Sequence, residues 1–420
     1  MMIGLGMSRE STTCNRTTEE SVAARLLPEA LDFLRELVEA NSHSLNREGV
    51  ERNADLIRNR FADFGWTEHR AASSREGAGR HLILDAGQPG PAIFLISHLD
   101  TVFTAGEQES AGPAWNLEGR RVRGPGVMDI KGGTAMIWLV LRILRETAPE
   151  TFRAIRWVAA WNAAEELLAP DFSAACLSLA PMAEAALVFE ADNAAGTDCF
   201  ETVHWRSGIV RYHLTCEGRG AHAGNGHENG RNAITGLAAA ILEISDWTDY
   251  GRNTVVNVGV VRGGEATNRV PDHAEADFEI RFRDRAHLAE LEARLAGLVA
   301  APGCSLSIRK ESGTAPLDTG PEAGLLESVW SEAGRELGLE VSSGGRRGLS
   351  DANYFSEDVP ALDGLGPHGG NAHGIERQDG HIRITEYLEL DTFAIKAALN
   401  ARALVRLFVS FPKPRKNRRS

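Results

Sequence analysis

The sequence predicts an α/β protein: a mixed, mostly parallel sheet with helices on both faces, interrupted by a smaller α+β domain. Two observations predict the large domain. Short apolar runs, AIFLISH (92–98), IRWVAAW (155–161) and ALVFE (186–190), alternate with helical periodicity, as buried parallel strands do. Each run leads into His, Asp or Glu, and ligands of open α/β sheets sit outside the carboxyl ends of the strands. A third observation predicts the insertion. Near residue 207 the apolar period drops to two, and the elements then read β-α-β-β-α-β, the ferredoxin-like order.

Residues 1–24 read as a flexible N-terminus, polar after Met7 and without the apolar stretch of a secretory signal. LPEALDFLRELVEA has helical periodicity, and ERNADLIRNRFADFG is a second helix ending at Gly65. TAMIWLVLRIL contains Arg142 and is too short to span a bilayer, so it reads as a buried helix. In the insertion, VRYHLTC sets Val210, Tyr212, Leu214 and Cys216 on one face of a strand. A helix follows with Ile234, Leu237, Ile241 and Ile244 as its stripe; then come the strands TVVNVGVV and AEADFEIRF, a helix over 286–300, and the strand CSLSIRK. The large domain therefore takes 25–206 and 319–410, the insertion 207–318, and residues 411–420 form a solvated basic tail.

The 420 residues suit two domains. A formal net charge of -13 argues against a nucleic-acid surface, and no stretch argues for a membrane. Five scattered cysteines without a CxxC fit the reduced thiols of a cytoplasm.

The chemistry gathers at the strand ends. In SHLDTVF, His98 has Asp100 two residues on, the pairing by which a ligating imidazole is oriented; alone, such a His is more often structural. In GPGVMDIKGG, glycines bracket Asp129, either a helix cap or a carboxylate held rigidly enough to bridge two cations. WVAAWNAAEELLAP ends in Glu165 and Glu166, adjacent acids whose repulsion a cation relieves; one could ligate and the other act as base. VFEADN offers Glu190, with Asp192 in reserve, and GLGPHGGNAH offers His368 and His373. His98, Asp129, Glu166, Glu190 and His373 make a mixed imidazole–carboxylate set suited to Zn, Mn or Co. With one bridging acid, five ligands make a two-ion site, with ~3.5–4 Å between the ions.

The order and flanks of these residues resemble the M20 family of metallopeptidases and amidohydrolases, particularly its glutamate carboxypeptidase-like branch. SHLDTVF, GPGVMDIKGG, the paired acids, VFE, GLSDAN, LDGLGPHGGNAH and, in the insertion, GRGAHAGNGHENGRNAI carry the resemblance, which covers the chain from about residue 25. It implies that His98 and Glu190 hold one divalent ion and Glu166 and His373 the other, with Asp129 bridging. Asp100 would orient His98. Glu165 would be the general base that deprotonates the bridging water and then protonates the leaving nitrogen. The insertion would be a lid and dimerisation domain of a homodimer, whose His222 reaches the partner's active site, while Asn268 and Arg281 contact the substrate. Arg346 and Arg347 could bind a substrate carboxylate bidentately or be plain loop charges.

The chain departs from the family pattern beside the paired acids. Ala164 stands where the family has Asp, LLAP follows in place of small residues, and Ala191 stands where the branch often has proline. The expected activity is metal-dependent hydrolysis of a C–N amide bond in a small, carboxylate-bearing substrate: an N-acyl amino acid, an amino-acid conjugate or a dipeptide. The apolar corner at Ala164 and the Trp157/Trp161 neighbourhood raise an alternative, a hydrolytic deaminase of an amino-substituted, anthranilate-like acid. A third alternative is a ligand-binding member without turnover, against which Glu165 argues.

Overall fold

The computed structural model describes residues 17–192, 194, 196–318 and 321–410. Helix α1 (Thr18–Glu39) starts on a capping box in which the Glu20 carboxylate accepts from Thr17 N–H at 2.7 Å and Thr17 Oγ1 accepts from Glu20 N–H at 3.3 Å. Residues 18–24, expected to be flexible, are therefore helical, with Ala23 fully buried. Residues 1–16 and the expected basic tail lie outside the described residues. Helix α2 (Arg47–Arg60) runs into a short turn closed by Gly65 at φ +69°, where a side chain would be strained.

Strands β1 (Thr67–Ala72), β2 (Arg80–Asp85) and β3 (Ala92–His98) come next, then helix α3 (Gly132–Thr147), strand β4 (Arg156–Asn162), helix α4 (Asp171–Leu179) and strand β5 (Ala185–Val188). Strand β6 (Cys199–Arg206) leads into the insertion: β7 (Gly208–Glu217), α5 (Ala233–Ser245), β8 (Val255–Gly263), β9 (His273–Phe282), α6 (Arg285–Ala296) and β10 (Ser305–Thr314). The chain returns through α7 (Pro321–Leu337), β11 (Glu340–Arg346), α8 (Ala352–Phe355), β12 (Ala361–Leu362) and α9 (Leu390–Ser410).

The main sheet has the order β1-β2-β4-β3-β5-β12. Its last four strands are parallel, and β1 and β2 are antiparallel additions at one edge. Both faces of β4 are buried, so its run is continuously apolar. Trp157, Ala159 and Trp161 enter one core with residues of α1, α3 and α9, while Val158 and Ala160 enter the other with Phe172 and Phe355. The insertion forms a separate antiparallel sheet, β8-β9-β7-β10, with its own apolar core. Alternate residues of β9 (Ala274, Ala276, Phe278, Ile280, Phe282) are buried there. In α5, Leu237, Ala240 and Ile244 are buried, whereas Ile234, expected in the stripe, is exposed.

The two domains meet at α8. The Asn353 amide donates to the carbonyls of Ser207 (3.2 Å) and Ala315 (2.9 Å), one on each connection between the domains. Beside it, buried Arg206 pairs with Asp363 at 2.5 Å, which also accepts from the Ser350 hydroxyl at 2.6 Å. No helix among the described residues is long and apolar enough to cross a membrane.

Candidate metal centre

Three parallel strands end side by side. β3 ends in His98, β4 leads through Ala163 and Ala164 to Glu165 and Glu166, and β5 leads through Phe189 to Glu190. Asp129 arrives from the tight turn before α3. That helix approaches the end of β5 so closely that a Cβ on Gly133 would lie 2.1 Å from the Phe189 carbonyl oxygen, which explains the small residues of KGG. His373 comes from the glycine-rich loop and takes φ +61°.

The five expected ligands converge on Asp129. Its Oδ1 lies 3.0 Å from His98 Nε2 and its Oδ2 3.2 Å from His373 Nε2. His373 Nε2 is also 3.1 Å from Glu166 Oε1, and His98 Nε2 is 3.9 Å from Glu190 Oε1. His98 is buried and His373 is about half exposed, so the cluster opens on the His373 side. Burial raises the carboxyl pKa values of Glu165, Glu166 and Glu190, and neighbouring carboxylates add to this. Burial acts the same way on Asp129, but hydrogen bonds from His373 and His98 outweigh it and hold that carboxyl low. Crowded carboxylates with two imidazoles facing one shared acid fit hard-to-borderline divalent cations.

Asp100 does more than was expected of it. His98 Nδ1 lies 2.9 Å from the Asp100 backbone carbonyl and 3.4 Å from its carboxylate. The carboxylate itself accepts from Glu165 N–H (3.0 Å), Glu166 N–H (3.3 Å) and the Ser44 hydroxyl (2.6 Å). It therefore ties the paired acids to the end of β3.

Several residues were not singled out in the sequence. Fully buried Glu386 accepts from Met128 N–H (2.8 Å), Asp129 N–H (3.1 Å) and His373 N–H (3.3 Å), and burial pushes its pKa up to about 8. Lys131 donates to the Ala40 carbonyl at 3.0 Å, and burial brings its pKa down to about 7. Asn162 donates to Asp351 at 2.7 Å, and burial pushes that carboxyl up to about 7. A short contact motif gives no sign of partners this far apart in sequence.

Other candidates lie elsewhere. Asp192 pairs with fully buried Lys396 at 2.7 Å, and His368 Nε2 lies 3.1 Å from the same carboxylate, so both belong to a separate buried network. His222 pairs with Arg269 in the insertion's two-stranded ladder, and just beyond it Ala223 N–H donates to the Asn268 carbonyl at 2.9 Å. Arg281 donates to Glu279 (2.7 Å) and to the Arg347 carbonyl (3.2 Å) at the domain seam. Arg346 pairs with Glu201 at 2.5 Å. Trp157 and Trp161, expected near the site, are fully buried core residues, their indole N–H groups donating to the Phe152 carbonyl and the Thr134 hydroxyl. Ala164 packs with Ala78, Ala169 and Leu167 in a small apolar cluster.

The large domain is a mostly parallel sheet with imidazoles and acids at its strand ends, beside an inserted α+β domain. Residues 204–303 match the M20 peptidase dimerisation domain. The chain is 24% identical over 413 residues to carboxypeptidase G2 of Pseudomonas sp. (strain RS-16), with 96% of this chain and 94% of that protein covered. It is 28% identical over 342 residues to a succinyl-diaminopimelate desuccinylase of Magnetococcus marinus, with 77% and 87% covered. Its fold matches a dinuclear metal-binding peptidase of the M20 family from Bacillus subtilis, with a TM-score of 0.65, 14% identity, and 92% and 100% of the two chains covered. The insertion thus matches the M20 dimerisation domain, and the chain as a whole has the fold of an M20 peptidase.

Proposed function

We propose that this protein is a metal-dependent amidohydrolase that cleaves the C–N bond of a small, carboxylate-bearing substrate, such as an N-acyl amino acid, an amino-acid conjugate or a dipeptide. The observation that carries the reading is the sharing of Asp129 between His98 and His373, with Glu166 and Glu190 alongside. His98 and Glu190 would hold one divalent ion, Glu166 and His373 a second, with Asp129 between them. Zn, Mn or Co there would acidify water and polarise the amide carbonyl.

Glu165 takes the proton from the attacking water. The water oxygen bonds to the carbonyl carbon, the C–N bond breaks, and the proton passes from Glu165 to the leaving nitrogen. Burial supports this role by raising the basicity of the Glu165 carboxylate. Asp100 keeps Glu165 in place through its N–H. Arg281 and Arg347 at the domain seam, and Asn268 on the insertion, are the candidate contacts for the substrate; Arg346 would have to leave Glu201 to join them. His222 would act on the active site of the partner in a homodimer formed through the insertion. A reducing cytoplasm suits the free cysteines Cys176, Cys199, Cys216 and Cys304.

The test incubates Mn²⁺- or Zn²⁺-loaded protein with N-acyl amino acids, dipeptides and aminobenzoates, following products by mass spectrometry and ammonia release. A split amide is expected, and Glu165→Gln should lower turnover by about 10²–10⁴-fold while metal binding remains. Free ammonia with a hydroxylated product would replace this reading with deamination. Wild-type rates in Glu165→Gln would remove Glu165 as the base.

A further inference from the structure

The turn that carries the paired acids is held by side chains. Beyond the end of β4, four successive amides meet side-chain acceptors: Ala163 N–H donates to His81 Nδ1 (3.0 Å), Ala164 N–H to Asn162 Oδ1 (3.0 Å), Glu165 N–H to Asp100 Oδ1 (3.0 Å) and Glu166 N–H to Asp100 Oδ2 (3.3 Å). Asp100 follows a ligand and Asn162 ends a site strand. His81 comes from β2, two strands away from His98 in the sheet, and is fully buried.

Its tautomer follows from its partners. A backbone N–H can only donate, so His81 Nδ1 bears the lone pair and Nε2 bears the hydrogen. Nε2–H then donates to Asp171 Oδ2 at 2.9 Å. Asp171 is held in turn by Ser74 N–H at 2.8 Å and by the Ser74 hydroxyl. The donors run from the turn through His81 to Asp171, where they meet those of Ser74 coming from the other side. Ala164 has no polar side chain to contribute and sits in the apolar cluster, so the fixing of this turn falls to its neighbours.

We propose that His81 is a positioning residue for hydrolysis: by accepting from Ala163 N–H it sets the direction in which Glu165 and Glu166 leave β4. The proposal rests on the assignment of Glu165 and Glu166 made above. The competing role is packing alone, since the His81 ring lies 5.3 Å from that of Phe172.

Two amide variants separate these roles. The Asn amide falls near the place of Nδ1 and the Gln amide near that of Nε2, so His81→Asn keeps an acceptor for Ala163 whereas His81→Gln keeps a donor for Asp171. Three quantities are measured: hydrogen exchange at amides 163–166, the visible spectrum of Co²⁺-loaded protein, and kcat and KM. His81→Gln should exchange faster at these amides, shift the cobalt spectrum and lower kcat about tenfold or more with little change in KM. His81→Asn should stay near wild type in all three. Wild-type behaviour of His81→Gln, or equal impairment of both variants, overturns the proposal. If His81→Gln does not fold, His81→Ala compared with His81→Asn tests the same contact, with faster exchange at Ala163 in the alanine variant expected and equal exchange in the two overturning it. Exchange and cobalt spectra need no turnover. A wild-type protein that splits no amide would therefore defeat the hydrolase reading and still leave the His81 question answered.

Discussion

Glu386 shows how one side chain can hold two candidate ligands that are far apart in the chain. Its two oxygens take the N–H groups of Met128 and Asp129 on one side and His373 on the other. His373 sits at positive φ, a conformation a non-glycine residue keeps only when its surroundings hold it there. Glu386→Gln replaces one acceptor with a donor, so a buried N–H loses its partner. Affinity for Mn²⁺ or Zn²⁺ should fall about 10–100-fold by titration calorimetry, and unchanged affinity would show that the ligands are held without it. His98, Asp129, Glu166, Glu190 and His373 were legible as candidates because each sits in a local pattern with a chemical reason. Glu386 and His81 were not, because their roles depend on backbone groups reached only after the chain has folded back.

At the level of elements, the antiparallel pairing of β2 with β4 carries an ion pair, Asp85 with Arg156 at 2.6 Å. Burial would raise the Asp85 carboxyl, but Arg156 and the Gly87 N–H outweigh it and lower its pKa. A carboxyl lowered in the folded state adds stability that is complete above its unfolded pKa and is lost as pH falls through the folded one. Asp85→Asn should therefore lower Tm at pH 7, and the gap from wild type should shrink as melts are taken into the acid range. A gap of constant size would rule out this ionic origin. The strands themselves were readable from apolar runs and alternation. The start of α1 was missed because the TEES stretch looks merely polar until Thr17 and Glu20 are seen as reciprocal caps. The junction of the domains was equally hidden: Asn353 serves both connections, and Asn353→Ala leaves two carbonyls short of a buried donor. It should cost about 1–3 kcal/mol in denaturant melts and speed exchange at residues 206–208 and 314–316, and a neutral effect would mean that water replaces the amide.

The whole molecule has one apolar core in the insertion and others flanking the main sheet, and all five candidate ligands lie outside the insertion. Metal binding should therefore stabilise one part of the molecule selectively. Scanning calorimetry with a hundredfold excess of Mn²⁺ or Zn²⁺ over Kd should raise the large domain's transition by the equivalent of about 2.7 kcal/mol and leave the insertion's transition in place. A single transition that moves as a unit would show that the junction at α8 couples the cores tightly. The ferredoxin-like insertion was visible in the sequence as a change of period, whereas its attachment was not, since the residues that clamp it follow it in the chain.

The span of the centre along the chain also bears on how the protein is made. His98 leaves the ribosome well before His373 and Glu386. Domains fold as they emerge during synthesis, yet here the first-made half holds only part of a centre, without the loop that completes it or the acid that steadies that loop. On the proposed reading, a growing chain that has not yet supplied His373 and Glu386 lacks a complete centre, so hydrolysis awaits the folding of that later segment onto the earlier one.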